Sequence, residues 1–283
     1  MKIAYICDTG TGRNPKYFED KNIFCLPLQI TCDNRNYQDM EELTNDDLLN
    51  LLKEKKVMTT SLPSIGKIDD LMEKLKEENY ELIIAVPICN GLSSTISTLE
   101  ASALNHGLII HCVDTYVTAV IEEYLICHIK QWIEEKIDIE TIKNNVEKII
   151  NSCNTLILPS DLQHLKRGGR LNSSAALLAG LLKIVPILKI NKDTNGKIGV
   201  LDKVRTYQKA INKTIETIKN DINNQKNYLI TIAHVDCFNR AKEVEELIQN
   251  AIPNATTQVI KLCNVVSVHT GLNCIAIQYF QQI

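Results

Sequence analysis

Hydroxyl side chains gathered beside glycine and proline are the groups in this chain best placed to do chemistry. Met58-Thr-Thr-Ser-Leu-Pro-Ser64 and Asn90-Gly-Leu-Ser-Ser-Thr95 each set several hydroxyls just ahead of a helical pattern. A helix N-terminus presents free N–H donors at the positive end of its dipole, so such clusters suit a carboxylate or a phosphate. Taken singly, Ser61, Ser64 and Ser93 suit plain N-caps equally well. A second chemistry-bearing stretch, Asp161-Leu-Gln-His-Leu-Lys-Arg-Gly-Gly-Arg170, wraps Lys166, Arg167 and Arg170 around Gly168-Gly169. Asn172, Ser173 or Ser174 then supplies the N-cap of a helix that is apolar almost all round from Ala175 to Leu182. Cations at the mouth of an apolar element suit a ligand with an anionic head and an oily tail.

Other candidates carry a bland reading beside the sharp one. Asp8-Thr-Gly-Thr-Gly12 and Asp114-Thr115 follow strand-like runs; the aspartates offer an acid–base pair or metal ligands, but each alone reads better as an Asx turn. The Asp8 segment lacks the spacing of a nucleotide fingerprint, and no phosphate-binding loop with its lysine occurs. Ser93 is not in the Gly-x-Ser-x-Gly elbow of hydrolases. A serine-type lipid or ester hydrolase would therefore rest on Ser93 with His269 as a distant base. His269, in Val-Ser-Val-His-Thr-Gly271, is expected to end a strand and emerge at a rim. His234 and Asp236 share ligand-like spacing without a second pair, which reads as structural. Arg205 closes a strand candidate and, with Arg170, offers a second anion site.

These residues need elements to position them. In the first half, Lys2–Cys7, Ile23–Thr31, Leu82–Pro87 and Leu108–Val113 read as near-continuous apolar strands, alternating with helical patterns over 44–55, 65–78, 93–106 and 116–134. That rhythm predicts a parallel, doubly wound sheet. A helix over 139–152 leads out of it. The second half reads as a mixed or antiparallel α+β layer domain. Its strands are Thr155–Pro159, Val185–Ile190, Lys197–Val204, Tyr228–Val235, Thr256–Lys261 and Val265–His269, and its helices span 173–183, 206–223 and 239–250. Asn195-Gly196 signals a hairpin. The fold class expected is α/β in two domains, 1–155 and 156–283.

Composition narrows the function classes. A chain of 283 residues, 45% hydrophobic, suits two cores. A net charge of -3 gives no reason to expect nucleic acid. The ten cysteines are scattered, with no CxxC pair, which favours buried reduced thiols. The start of the chain reads as a strand rather than a signal peptide, and no apolar run reaches membrane-spanning length. A cytoplasmic protein without metal or cofactor is the expectation.

An ordered set of motifs resembles the DegV family, whose members include fatty-acid-binding subunits of bacterial fatty acid kinase. The set is Cys7-Asp-Thr, Thr59-Thr-Ser-Leu-Pro-Ser, Gly91-Leu-Ser-Ser-Thr, Val113-Asp-Thr, the Asp161-to-Arg170 stretch, Pro186-Ile-Leu, Lys203-Val-Arg and His269-Thr-Gly. The resemblance implies a long-chain fatty acid buried between two domains, its carboxylate held by Thr60, Ser61 and Ser93 with His269 at the same mouth. It implies no catalysis within the chain itself. Arg170 and Arg205 would face the kinase's catalytic subunit, which phosphorylates the carboxylate, and a transient contact with the membrane surface is a further expectation.

Overall fold

The computed structural model describes residues 1–171 and 184–283. They group into two compact units: Met1–Lys143 with Cys263–Val266, and Asn144–Leu262 with Ser267–Ile283. The apolar helix expected over 173–183, with its N-cap candidates Asn172, Ser173 and Ser174, lies outside the described residues.

In the first unit, β1 (Ile3–Asp8), β2 (Phe24–Leu26), β6 (Leu82–Val86) and β7 (Ile110–Cys112) form a parallel sheet in the order β2-β1-β6-β7. Their apolar runs face helices on both sides, which is why the strands do not alternate with polar residues. On one face Ala4, Ile6, Ile83 and Ala85 pack with Ile68, Leu71, Met72 and Leu75 of α3 (Ile65–Glu77) and with Leu99 and Ala103 of α4 (Thr95–His106). On the other face α5 (Val120–Glu134) packs on β1 and β6. The sheet is doubly wound. The unit also holds α1 (Lys16–Glu19), α2 (Asn45–Lys53) and the start of α6 (Ile139–Ser152).

A second, antiparallel sheet in this unit has the order β4-β3-β5, from β3 (Gln29–Cys32), β4 (Arg35–Gln38) and β5 (Met58–Ser61). The single strand expected from Ile23 to Thr31 is in fact two, in different sheets. Pro27 has no N–H to give a ladder, and the Leu28 N–H goes to the Thr9 hydroxyl at 3.1 Å. Strand β4 was not foreseen. Asp33 and Asn34, at φ 48° and 63°, make the two-residue turn with positive φ that suits a tight hairpin.

In the second unit, β8 (Asn154–Leu158), β9 (Val185–Ile190), β10 (Gly199–Val204), β11 (Tyr228–His234), β12 (Thr256–Lys261) and β13 (Ile275–Gln281) form a sheet in the order β10-β9-β8-β13-β11-β12. Only the β11–β12 pair is parallel. One face packs Leu156, Leu158, Ile187, Ile230, Ile232, Ile275 and Ile277 against α8 (Tyr207–Ile222) and α9 (Phe238–Ala251). The alternate residues include a polar ladder: Gln278 donates to Thr155 at 3.0 Å and Gln258 to Thr231 at 2.8 Å. Asn195 and Gly196, at φ 51° and 68°, sit in the β9–β10 connection as the sequence indicated.

One element differs in kind. The strand expected over Val265–His269 is a helix, α10 (Asn264–Thr270), and the C-terminal strand is β13. Valine-rich segments favour strands only weakly, and packing overrides them. Here Val265 and Val268 are buried while Val266 and His269 are more open, a helical period rather than a period of two.

Candidate functional site

The hydroxyl cluster of the first unit is built at the end of β6. The Cys89 carbonyl accepts the N–H groups of Leu92 and Ser93 at 3.0 and 3.1 Å, folding the loop so that Ser93 arrives at the start of α4. The half-buried Ser93 hydroxyl lies 2.8 Å from the fully buried Thr95 hydroxyl. Ser93 is therefore not the helix cap; Ser94 stands at that position without a side-chain cap bond. Ser64 is a cap, accepting the Lys67 N–H at 3.2 Å. Thr60 and Ser61 belong to β5, paired with Ile30 and Gln29 of β3. Successive strand residues face opposite sides. Thr60 shares its side with buried Ile30, and Ser61 lies on the exposed side.

Beneath this cluster is a group of buried acids. Asp8, fully buried, accepts the Gly10 N–H on Oδ1 at 2.7 Å and the Ile88 N–H on Oδ2 at 2.9 Å. The Asx turn read from the sequence is present, and so is a cross-link between two strand-end loops. Asp114 makes an Asx turn, accepting the Tyr116 N–H at 2.9 Å. Burial pushes the Asp8 carboxyl up to about 7 against the two N–H bonds, with Asp39 adding to the rise. Burial likewise lifts Asp39 to about 6. Glu122, in the first turn of α5, is held well above the carboxylate range by burial and by Asp8.

In the second unit the basic motif forms α7 (Leu162–Arg167), then Gly168 and Gly169. His164 Nε2 lies 2.8 Å from the Val268 carbonyl, tying α7 to α10. A Cβ on Gly168 would meet His269 Nδ1 at 2.4 Å, so glycine is what allows that ring its place. Arg170 donates to the Gly168 carbonyl at 2.8 Å. His269 sits in the last turn of a helix, half-buried, not at a strand end on a rim. Burial, then Arg170 and His164, lower its pKa to about 3, so its imidazole is neutral at neutral pH. Arg205 is exposed just beyond β10. His234 accepts the Cys237 N–H at 3.3 Å, the structural role read from the sequence.

Chemically, the first unit offers hydroxyl donors at a helix N-terminus, and the second a neutral imidazole beside a guanidinium. Ser93 bonds a hydroxyl, not a base, so no activated nucleophile is assembled around it in that unit. Among the described residues no group of three or more His, Cys, Asp or Glu is arranged to hold a metal ion, and no helix is long and apolar enough to cross a membrane. All ten cysteines are free thiols, buried or half-buried. Two open grooves, of about 570 Å³ beside Phe24 and Tyr80 and about 530 Å³ beside Asn191 and Tyr228, are not lined by the expected site residues. Sequence reasoning placed Thr95 in the hydroxyl cluster without its pairing to Ser93, and missed Glu122 and Asn264. Nothing in the sequence sets Glu122 apart from Glu123; its burial comes from the packing of α5 on the sheet.

The likeness to known proteins runs over nearly the whole chain. The model of the DegV family of uncharacterised proteins matches residues 2–282. A DegV domain-containing protein of Streptococcus pyogenes is 29% identical over 278 residues, 98% of each chain. Another, of Halalkalibacterium halodurans, is 27% identical over 281 residues, 99% of this chain and 98% of its own. Among solved structures, a fatty acid binding DegV family protein from Streptococcus agalactiae superposes with a TM-score of 0.89 at 28% identity, covering 100% of both chains. DegV from Bacillus subtilis, a fatty acid binding protein, gives 0.86 at 24% identity over 100% of both and supports the fold alone. With the hydroxyl loops, the glycine-dependent histidine and the mixed second sheet all falling within that match, the chain belongs to the DegV family.

Proposed function

We propose that this protein is a fatty-acid carrier: it binds a long-chain fatty acid and presents the carboxylate to a separate, ATP-using kinase subunit. The carboxylate is held by the Ser93 hydroxyl and by the strand end that carries Thr60 and Ser61, with His269 as a further donor, while Arg170 and Arg205 face the kinase. The observation that carries this reading is the full-length likeness to the Streptococcus agalactiae protein, described as fatty acid binding. The Ser93–Thr95 hydroxyl pair at the N-terminus of α4 supports it independently, because that position favours an anion. A long acyl tail contributes on the order of 10 kcal/mol of transfer free energy, at about 0.8 per methylene. Each hydrogen bond to the charged head adds roughly 1.5–3 kcal/mol. The tail sets affinity and the hydroxyls set orientation.

No cofactor enters this reading, and the chain performs no catalysis of its own. Mass spectrometry of the gently purified protein tests it. One long-chain fatty acid per chain is the expected result; protein that is lipid-free, and stays so when offered fatty acids, would falsify it. The kinase arm is tested separately. Arg205→Ala should keep its lipid yet lose acyl-phosphate formation when kinase and ATP are added, because its planar fork suits a phosphate or carboxylate at an interface. Loss of lipid without loss of stability would instead make Arg205 a head-group ligand.

A further inference from the structure

The buried acids of the first unit have a job that the hydroxyls alone do not explain. Asp8 Oδ2 takes the Ile88 N–H at 2.9 Å, and the next residue, Cys89, holds the Ser93 N–H on its carbonyl at 3.1 Å. Three residues thus connect a fully buried carboxyl to the hydroxyl proposed to hold the head group. The other oxygen of Asp8 is taken by Gly10, and the same spot is crowded by a second acid. A Cβ on Gly10 would lie 2.6 Å from Asp8 Oδ1 and 2.9 Å from Glu122 Oε2, so the two carboxyls converge on one small space. Glu122 is fully buried, and neither of its carboxyl oxygens has a hydrogen-bond partner in normal geometry.

Two carboxylates cannot both ionise in such a place without a cation between them. The groups that act most strongly on the pair are Asp39 on Asp8, and Cys25, Thr118 and the Ala119 backbone on Glu122; no cation is among them. Cys7, Cys89 and Cys263, the other titratable groups facing the pair, are all buried with thiols raised by burial. The N-terminus of α5 and the Thr118 hydroxyl favour a charge on Glu122 but do not outweigh its burial. The backbone here is itself forced: Ala119 stands at φ 72°, ψ −129°, a conformation that persists only where its surroundings fix it.

We infer that Asp8 is a positioning residue for Ser93, and that it does this as half of a carboxyl pair with Glu122 that carries one shared proton. With the proton in place, Asp8 keeps both N–H bonds and Glu122 supplies or accepts the shared hydrogen. When it is lost, two like charges repel, Asp8 shifts, and the Ile88–Ser93 loop loosens. Head-group binding therefore weakens as pH rises past neutrality. This deepens the fatty-acid reading and rests on it for its ligand, but not for the proton.

The test uses the full chain and oleate as the probe, with affinity measured from pH 5.5 to 8.5 for the unmutated protein, Glu122→Gln and Asp8→Asn. The unmutated protein should lose about tenfold in affinity on the alkaline side, an order set by removing one strong positioning contact. Glu122→Gln, which cannot ionise, should lose that pH dependence. Asp8→Asn should bind more weakly at every pH, since an amide has one acceptor oxygen for two N–H groups. Parallel profiles for Glu122→Gln and the unmutated protein would overturn the inference. An infrared carbonyl band of a protonated carboxyl, present near pH 6 and abolished by Glu122→Gln, supports the pair whether or not oleate binds; its absence sinks the pair. Failure of all three proteins to bind oleate, with the band present, would tell against the fatty-acid reading and leave the shared proton standing.

Discussion

In the first unit burial acts on carboxyls, and in the second it acts on an imidazole. The same cause raises the pKa of Asp8 and of Glu122 and lowers that of His269, so in each unit burial favours the neutral form. The surroundings differ accordingly. The acids lie among thiols and one another, whereas the histidine lies beside Arg170 and His164. Desolvation is the largest influence in both places; Arg170 and His164 add to it at His269, whereas hydrogen-bond donors oppose it at Asp8 and Glu122 without outweighing it. Burial disfavours interior charge in both units, and the price is a stability that depends on pH from both sides.

The largest expected effect breaks or confirms that contrast. Asp8 titrates near 7 when folded and near 4 when unfolded. Its contribution is complete below about pH 4 and is lost as pH rises to and through 7. His269 runs the other way, near 3 folded and 6.5 unfolded. Its contribution is complete above pH 6.5 and is lost as pH falls toward and through 3; between pH 6.5 and 4 the change is about 3 kcal/mol. Urea unfolding of the unmutated protein, Glu122→Gln and His269→Gln at stepped pH separates the two. Glu122→Gln should gain on the unmutated protein as pH rises, and His269→Gln should gain as pH falls. Differences that are flat in pH would remove the contrast.

The units also hold their sites by different means. Polar staples do it in the first. Asn264, 1% exposed, donates to Asp39 at 3.0 Å and to the Leu43 carbonyl at 3.1 Å, and accepts from Asn45 at 2.8 Å. Asn264→Ala strips a buried acid and a buried carbonyl of their donor, at a cost of roughly 2–3 kcal/mol. Close backbone approach does it in the second. Gly168→Ala drives a methyl into the His269 ring, and overpacking of that kind costs about 2 kcal/mol. Chemical denaturation measures both. A neutral Gly168→Ala would mean that the ring moves aside freely, and fatty-acid binding by that variant would then show whether His269 matters to the head group.

Sequence carried the frame further than the site. The strands of the parallel sheet were visible because both faces are covered, leaving unbroken apolar runs such as Leu82-Ile-Ile-Ala-Val86. Amphipathic α6 was legible from its helical periodicity, and strands β9 and β12 from short apolar or β-branched runs. The α10 helix was not, since its valines argue for a strand until their burial is known. Ser93 could be singled out from its hydroxyl neighbours, but Thr95 as its partner could not, because the loop that joins them is closed by backbone bonds to Cys89. Glu122 was hidden entirely: nothing local separates it from Glu123, which pairs with Arg13 at 2.8 Å while Glu122 is buried without an ion pair among the described residues.

The smallest expected effect concerns the two hydroxyls that the motif lumps together. In β5 the Thr60 side chain lies on the face of Ile30, which is fully buried, and Ser61 lies on the other face with Gln29. A strand cannot turn both toward one carboxylate without breaking its alternation. Thr60→Val keeps the shape and removes the hydroxyl, so it should weaken oleate binding by about 1.5 kcal/mol if the inner face holds the head group. Ser61→Ala should then be near neutral. Each variant is compared with the unmutated protein at one pH, on the acid side where the Asp8–Glu122 proton is in place. The reverse order would assign the ligand to the outer face of β5. Equal losses would require Ser61, the last residue of the strand, to leave the strand's alternation when the fatty acid binds, and amide exchange at Ser61 and Leu62 with and without oleate would report that change.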